Sequence, residues 1–335
     1  MEQTEQKGTA DYRGIRAVVL GAAGFIGRRV ALSLCEREVR LFLVVRDAAR
    51  AERILSAYGV SGEVVEFDLS CLDSLRKLIV KLRPSITFNL AGYGVDPSER
   101  DESDAYRINA DLSLALCEAI AECHDQEWPG LKLVHTGSAL EYGEIGGDLA
   151  EDSQPAPTTL YGKSKLAGAL AVARRCGEFG MRGVTARLFT VYGPGESEGR
   201  LLPSLMDAAR TQQAIRLTEG RQQRDFTYVD DVAEGLLRLG LSSAAPGEIV
   251  NLATGHLTTV RQFVEQAADI LNIPDERLLF GALPVRPEEM SHLPVAIDRL
   301  RRLTGWTPPT GIPDGIRKTC ALSHIDFNLK TGLTV

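Results

Sequence analysis

Tyr161 and Lys165 stand four residues apart in TTLYGKSKLAGALAVARR, a run rich in small and apolar residues that predicts a closely packed helix with both side chains on one face. A free tyrosine titrates near 10 and is a poor proton shuttle at neutral pH; a fixed ammonium beside it favours the phenolate and predicts a lowered value. Tyr161 is then a candidate acid or base. Ser138 lies where the apolar run LVHTGSALEYG leaves a strand for a loop, and it is placed to hydrogen-bond the reacting oxygen. A bare YxxxK pair is common, and a serine at a strand end usually caps a turn, so neither carries weight alone.

A third feature gives them weight. In AVVLGAAGFIGRRVALSL, glycines 21, 24 and 27 fall between a buried strand and a helix. Gly21 permits a tight turn, Gly24 lets a pyrophosphate approach the backbone, and Gly27 lets the helix pack on the strand. Phe25 and Ile26 open that helix, whose free N–H groups and positive dipole end suit an anion. The spacing GxxGxxG therefore points to NAD or NADP. At the end of LFLVVRDAAR, Asp47 suits the adenosine ribose of NAD, whereas Arg46 suits a 2′-phosphate and tips the reading toward NADP. Asp68 and Leu69, after EVVEF, are placed at the adenine. Leu90, Ala91 and Gly92 supply small residues where another strand end meets the cofactor, and Lys165 is a second contact there, through the nicotinamide ribose.

The elements that must position these groups follow from alternation. From Arg16 onward short β-branched runs alternate with helical segments, the pattern of βαβ units. Strands are expected at residues 17–20, 41–45, 63–67, 86–90, 132–136 and 184–191, giving an α/β fold with a Rossmann-like doubly wound parallel sheet. Every motif above falls at the carboxyl end of such a strand. Residues 1–13 read as a flexible polar tail, 14–192 as a dinucleotide-binding lobe to which 227–254 return, and 193–226 with 255–335 as a smaller interlaced substrate lobe. With 335 residues, 44% apolar and 25% charged, and a net charge of -7, the chain reads as soluble and globular, with no basic run for nucleic acid. No apolar leader or run of about 20 apolar residues is visible, so a cytoplasmic protein without a membrane partner is expected. The six cysteines never form CxxC, so no metal site is expected.

The chain resembles the extended short-chain dehydrogenases/reductases, in the branch of nucleotide-sugar epimerases, dehydratases and 4-ketoreductases. The likeness rests on GAAGFIG, LAG, INADLSLALCEA, GSALEYG, YGKSK, RLFTVYGPG, RDFTYVDDVA, NLATG and the terminal RLRRLTGWTP, and it runs almost end to end. It implies a nucleoside-diphosphate sugar as substrate and a homodimer built on the helices containing Asn109 to Glu122 and Tyr161 to Arg174. Arg224 and Arg286 match arginines that bind the substrate diphosphate in the family, and Asn109 matches a residue that supports the site. Thr190 stands where relatives carry an asparagine that touches the substrate. Tyr93, Val95, Asp96 and Tyr192 are placed around the sugar.

Dehydratases of this kind carry an Asp-Glu pair straight after the hydroxyl residue, since loss of water across two carbons needs its own acid and base. Ala139 and Leu140 occupy those positions here. The chemistry expected is therefore reduction of a sugar ketone at C4, with Tyr161 giving the proton and Ser138 polarising the carbonyl, or else epimerisation with tightly held NAD. A non-catalytic NAD(P)-binding sensor or scaffold is the rival of another class, disfavoured by the intact Ser138, Tyr161 and Lys165.

Overall fold

The computed structural model describes residues 11–95, 98–123, 128–145, 147–285 and 290–331. In chain order the first half comprises β1 (Arg16–Leu20), α1 (Phe25–Cys35), β2 (Arg40–Val45), α2 (Ala48–Ala57), β3 (Glu63–Glu66), α3 (Leu72–Leu82), β4 (Ile86–Asn89), α4 (Glu102–Tyr106), α5 (Leu112–Glu122), β5 (Leu133–Ser138), α6 (Leu160–Phe179) and β6 (Gly183–Leu188). The second half comprises β7 (Thr190–Tyr192), α7 (Leu201–Thr211), β8 (Ile215–Arg216), β9 (Gln223–Tyr228), α8 (Val229–Gly240), β10 (Glu248–Leu252), β11 (Leu257–Thr259), α9 (Val260–Leu271), β12 (Leu278–Leu279), α10 (Asp298–Thr304) and α11 (Ile312–Thr331).

Seven strands form one sheet in the order β10-β6-β5-β4-β1-β2-β3, all parallel, which is a doubly wound Rossmann-type α/β fold with one added edge strand. A parallel sheet must be covered on both faces, and the alternation along its strands divides two cores. Ala17 and Val19 of β1, with Leu41, Leu43 and Val45 of β2, pack with Val30, Leu34 and the α8 residues Val232 and Leu236. Val18 and Leu20, with Phe42 and Val44, face the opposite way, against Leu75, Ile79, Leu116 and Val172. Each fully buried Val, Leu, Ile or Phe among them contributes about 1.5–3 kcal/mol relative to exposure.

The run 184–191, expected as one strand, is two. β6 stays in the main sheet, while β7 turns away after Phe189 and joins β9 and β11 in a three-stranded sheet. That turn starts a third core, in which Tyr192, Phe226 and Phe263 interlock, the two phenyl rings stacked with centroids 4.2 Å apart. Tyr192, placed by the sequence beside the sugar, is a core residue here: it is 2% exposed and its hydroxyl donates to Ile312 O over 3.4 Å. Tyr12 also departs from expectation. Read as part of a flexible tail, it is buried against Phe88 and Trp128, and its hydroxyl donates to Leu237 O over 2.6 Å. Its aromatic surface outweighs the polarity of its neighbours in the sequence. Among the described residues no helix is long and apolar enough to cross a membrane.

Candidate active site

The motif residues gather at the carboxyl edge of the central sheet. After β1 the chain turns at Gly21, whose φ of 75° is a left-handed conformation that favours glycine. Gly24 N donates to Gly21 O over 3.0 Å, and a Cβ on Gly27 would stand 2.1 Å from that same oxygen. Only a bare α-carbon lets α1 begin there. The first turn of α1 has no side-chain cap and no acidic residue, and a Cβ on Gly24 would approach Gly21 O alone, so exposed Gly24 is open to a ligand. These features fit the diphosphate of a dinucleotide. Half-buried Phe25 and Ile26 pack against the third core, built around the three-stranded sheet.

At the end of β2, Arg46 is exposed, whereas Asp47 caps α2 by accepting the Arg50 N–H over 2.9 Å. Glu66 accepts the Ala48 N–H of the same helix over 2.8 Å. Asp68 is exposed beyond β3 and Leu69 is buried. The Ser70 N–H and the Arg46 guanidinium, the former dominant, hold the Asp68 carboxyl below its ordinary range. Beyond β4, Leu90 N bonds Leu20 O, Ala91 is buried and Gly92 is exposed.

Ser138 ends β5, and a short 3-10 turn, Ala139–Glu141, follows it. Tyr161 and Lys165 lie in the first turns of α6, whose N-terminus is capped by Thr159 Oγ accepting from Gly162 N over 3.0 Å. A Cβ on Gly162 would stand 2.3 Å from Leu140 O, so glycine allows α6 to start against the 3-10 turn. That contact sets Tyr161 near Ser138, whose hydroxyl weakly favours the phenolate. Further along, a Cβ on Gly168 would stand 2.0 Å from Asn109 O, which seats α6 on a π-helical turn at Arg107–Asp111. Within that turn Asn109 accepts the Tyr93 N–H over 3.0 Å and donates to Tyr93 O over 2.8 Å and Ser164 Oγ over 2.9 Å. It braces loop and helix without touching the reacting groups.

The electrostatics correct one expectation. The Tyr161 phenol is pushed up to about 12, first by burial and then by the Glu141 carboxylate, with Glu99 adding and Arg200 opposing. The expected lowering by Lys165 is not among the influences on the phenol; the lysine is itself buried and pulled down to about 8 by desolvation, against the pull of Glu141. The Tyr161 phenol is therefore protonated at neutral pH. His135, beneath Lys165 on β5, is held well below its ordinary value by burial and by that ammonium.

The remaining substrate positions are spread around this edge. Tyr93 turns its hydroxyl to the Asp101 N–H over 3.3 Å, and Val95 is exposed. Thr190 opens β7 opposite Phe226, and Arg224 is half-buried on β9, close enough to His292 to oppose its charging. Asp96 and Arg286 lie outside the described residues. Glu99, Arg200, Glu141 and Arg187 were not foreseen. Of these only Glu141 had a local signal: Ser138-x-x-Glu141 is a capping-box pattern, and the structure forms it. Among the described residues no group of three or more metal-binding side chains forms.

A doubly wound sheet with a glycine turn after its first strand and a Ser-Tyr-Lys set at its carboxyl edge defines a dinucleotide-dependent oxidoreductase. The model of the NAD dependent epimerase/dehydratase family matches residues 17–253, and the chain belongs to that family, within the extended short-chain dehydrogenases/reductases. It is an NAD(P)-dependent enzyme. A dTDP-6-deoxy-L-talose 4-dehydrogenase (NAD(P)(+)) of Kitasatospora kifunensis is 30% identical over 90% of this chain and 94% of its own. A GDP-6-deoxy-D-mannose reductase of Pseudomonas aeruginosa is 29% identical over 75% and 84%. Among solved structures, a UDP-glucuronic acid 4-epimerase from Bacillus cereus, in complex with UDP-glucuronic acid and NAD, superposes with a TM-score of 0.79 at 22% identity, covering 95% of this chain and 100% of its own.

Proposed function

We propose that the enzyme reduces the C4 ketone of a nucleoside-diphosphate-linked 4-keto-6-deoxyhexose. The observation that carries this reading is the convergence of Ser138, at the end of β5, with Tyr161 and buried Lys165 of α6, beside Ala139 and Leu140 where an elimination would need its own acid and base. Ala139 and Leu140 cannot act as acid or base, and both oxygens of Glu141 are engaged, one with Ser138 N and one with Arg187 Nε. A protonated Tyr161 suits reduction, in which the carbonyl oxygen must receive a proton. Ser138 polarises that carbonyl, Tyr161 gives up its proton, and Lys165 restrains the phenolate left behind. When bound, the nicotinamide supplies the hydride; Gly24, Phe25 and Ile26 hold the diphosphate and Lys165 the ribose. Ligation of the substrate diphosphate is assigned to Arg224 and Arg286.

The 4-dehydrogenase and reductase relatives act on 6-deoxysugars by name, which supports the same ketone and alcohol pair here. Exposed Arg46, next to an Asp47 already spent on α2, favours NADPH over NADH. NADPH and NADH oxidation should be followed with a panel of nucleotide-linked 4-keto-6-deoxysugars, alongside Tyr161→Phe. Turnover with at least one sugar, faster with NADPH and falling by about 10²-fold or more in the variant, is expected. Failure of every sugar, with epimers formed from the unreduced nucleotide sugars instead, points to an NAD-dependent epimerase. An unchanged biological effect of Tyr161→Phe points to a non-catalytic role.

We also propose a homodimer through α5 and α6. These helices pack side by side, and Leu170 on α6 is 54% exposed and Phe179 46%, unusual for large apolar side chains on a helix that also lines the site. Sedimentation velocity should give about twice the chain mass for the native protein, and the single mass for Leu170→Asp; a monomeric native protein removes this assembly.

A further inference from the structure

Glu141 and Arg187 are the feature that the reading above leaves without a task. Both are buried, at 0% and 1% side-chain exposure, and Glu141 Oε2 accepts Arg187 Nε over 2.8 Å. Glu141 Oε1 accepts the Ser138 N–H over 2.7 Å, while Ser138 Oγ accepts Leu140 N over 3.2 Å. The pair is enclosed. Arg187 lies over the Tyr142 ring at 4.5 Å, and the Tyr142 hydroxyl donates to Asn251 Oδ1 over 2.8 Å. A Cβ on Gly137 would stand 2.5 Å from Glu141 Oε1 and 3.3 Å from Arg187 Cγ, so the strand is bare where the pair passes beneath it.

Stability does not explain this arrangement. Desolvating two charges costs about as much as their attraction returns, and an apolar pair of similar volume is often neutral or better. Arg187 Nη1 moreover has no hydrogen-bond partner among the described residues, which is a further cost. We propose that Glu141 and Arg187 are a positioning pair: Glu141 anchors the backbone of Ser138 and sets the charge that Tyr161 and Lys165 experience, and Arg187 holds Glu141 in place from the next strand. Neither touches the reacting atoms.

The charged and titratable groups facing the pair's targets are few. Tyr161 of α6 faces Glu141 from the 3-10 turn, Glu99 from the loop before α4 and Arg200 at the start of α7; Lys165 faces Glu141 and His135 of β5. The sign is therefore defined. The Glu141 carboxylate disfavours the Tyr161 phenolate and favours the Lys165 ammonium, so its removal moves both titrations to lower pH.

The inference rests on Tyr161 as the proton donor, which Tyr161→Phe tests separately. The test of the pair is Glu141→Leu/Arg187→Leu, chosen to remove both charges together. In cofactor-free protein the titration of the Lys165 ε-carbon, followed by NMR and assigned with Lys165→Arg, should fall by about half a pH unit or more. That readout needs no turnover. The alkaline limb of kcat should move the same way, and kcat should fall by about tenfold while KM changes by less than about threefold. A folded double variant with an unmoved Lys165 titration and an unmoved limb overturns the proposal. Should the double variant not fold, Glu141→Gln keeps an acceptor for Ser138 N and removes the charge; it should shift both titrations with a smaller loss of kcat, and unmoved titrations there overturn the proposal equally.

Discussion

Lys165 carries a charge into a place that disfavours it. Its ammonium is buried and its titration is depressed from 10.5 to about 8, a burden the fold bears at neutral pH. Below pH 8 lysine is charged in both folded and unfolded states, and the whole penalty is felt. Between about 8 and 10.5 the folded protein releases the proton first, so this residue's contribution to stability improves as pH rises. Lys165→Met should therefore stabilise the protein at pH 7, by up to ~3 kcal/mol, with the advantage shrinking toward pH 10.5. Urea denaturation at both pH values reads this, and a variant less stable than the parent at pH 7 contradicts it. The four-residue spacing of Tyr161 and Lys165 was legible in the sequence because both lie on one helix. The direction of their titration was not, since it depends on burial and on Glu141, which the sequence did not mark as a neighbour of either.

Helix α6 is positioned by what it lacks. Gly162 and Gly168 let it approach the turn after β5 and the π-helical turn before α5, and both contacts are with backbone carbonyls that cannot move aside. Gly168→Ala should force Asn109 and α6 apart and cost about 3 kcal/mol, seen as a lower urea midpoint, with kcat falling as the Tyr93 loop loosens. A loss below about 0.5 kcal/mol would mean that the packing yields cheaply there. At this scale six of the seven main-sheet strands, β1 to β6, were readable from β-branched runs bounded by turns. The break at Phe189 was not, because β6 and β7 are both apolar and only their different partners separate them. Arg187 and Glu141 escaped notice for a related reason: they are 46 positions apart and meet only after two neighbouring strands have paired.

Across the whole molecule the central sheet is completed late. Its edge strand β10 comes from residues 248–252, after the chain has left to build β7 to β9, and Asn251 then ties back to Leu149 O, Ala296 O and the Tyr142 hydroxyl. The sequence changes texture after Tyr192, and a return of the chain was expected from DFTYVDDVAEGLL. The identity of the returning strand was not, because EIVNL carries no motif of its own. During synthesis the glycine turn, Ser138, Tyr161 and Lys165 all emerge from the ribosome before the strand that borders β6 exists. A nascent chain therefore holds its full set of reactive side chains on an unfinished sheet with an open edge, a state exposed to wrong pairing. Completion of the sheet waits on about the last quarter of the polypeptide, so premature termination between residues 166 and 247 leaves a chain with every motif of the proton-transfer set and an unfinished sheet to hold them.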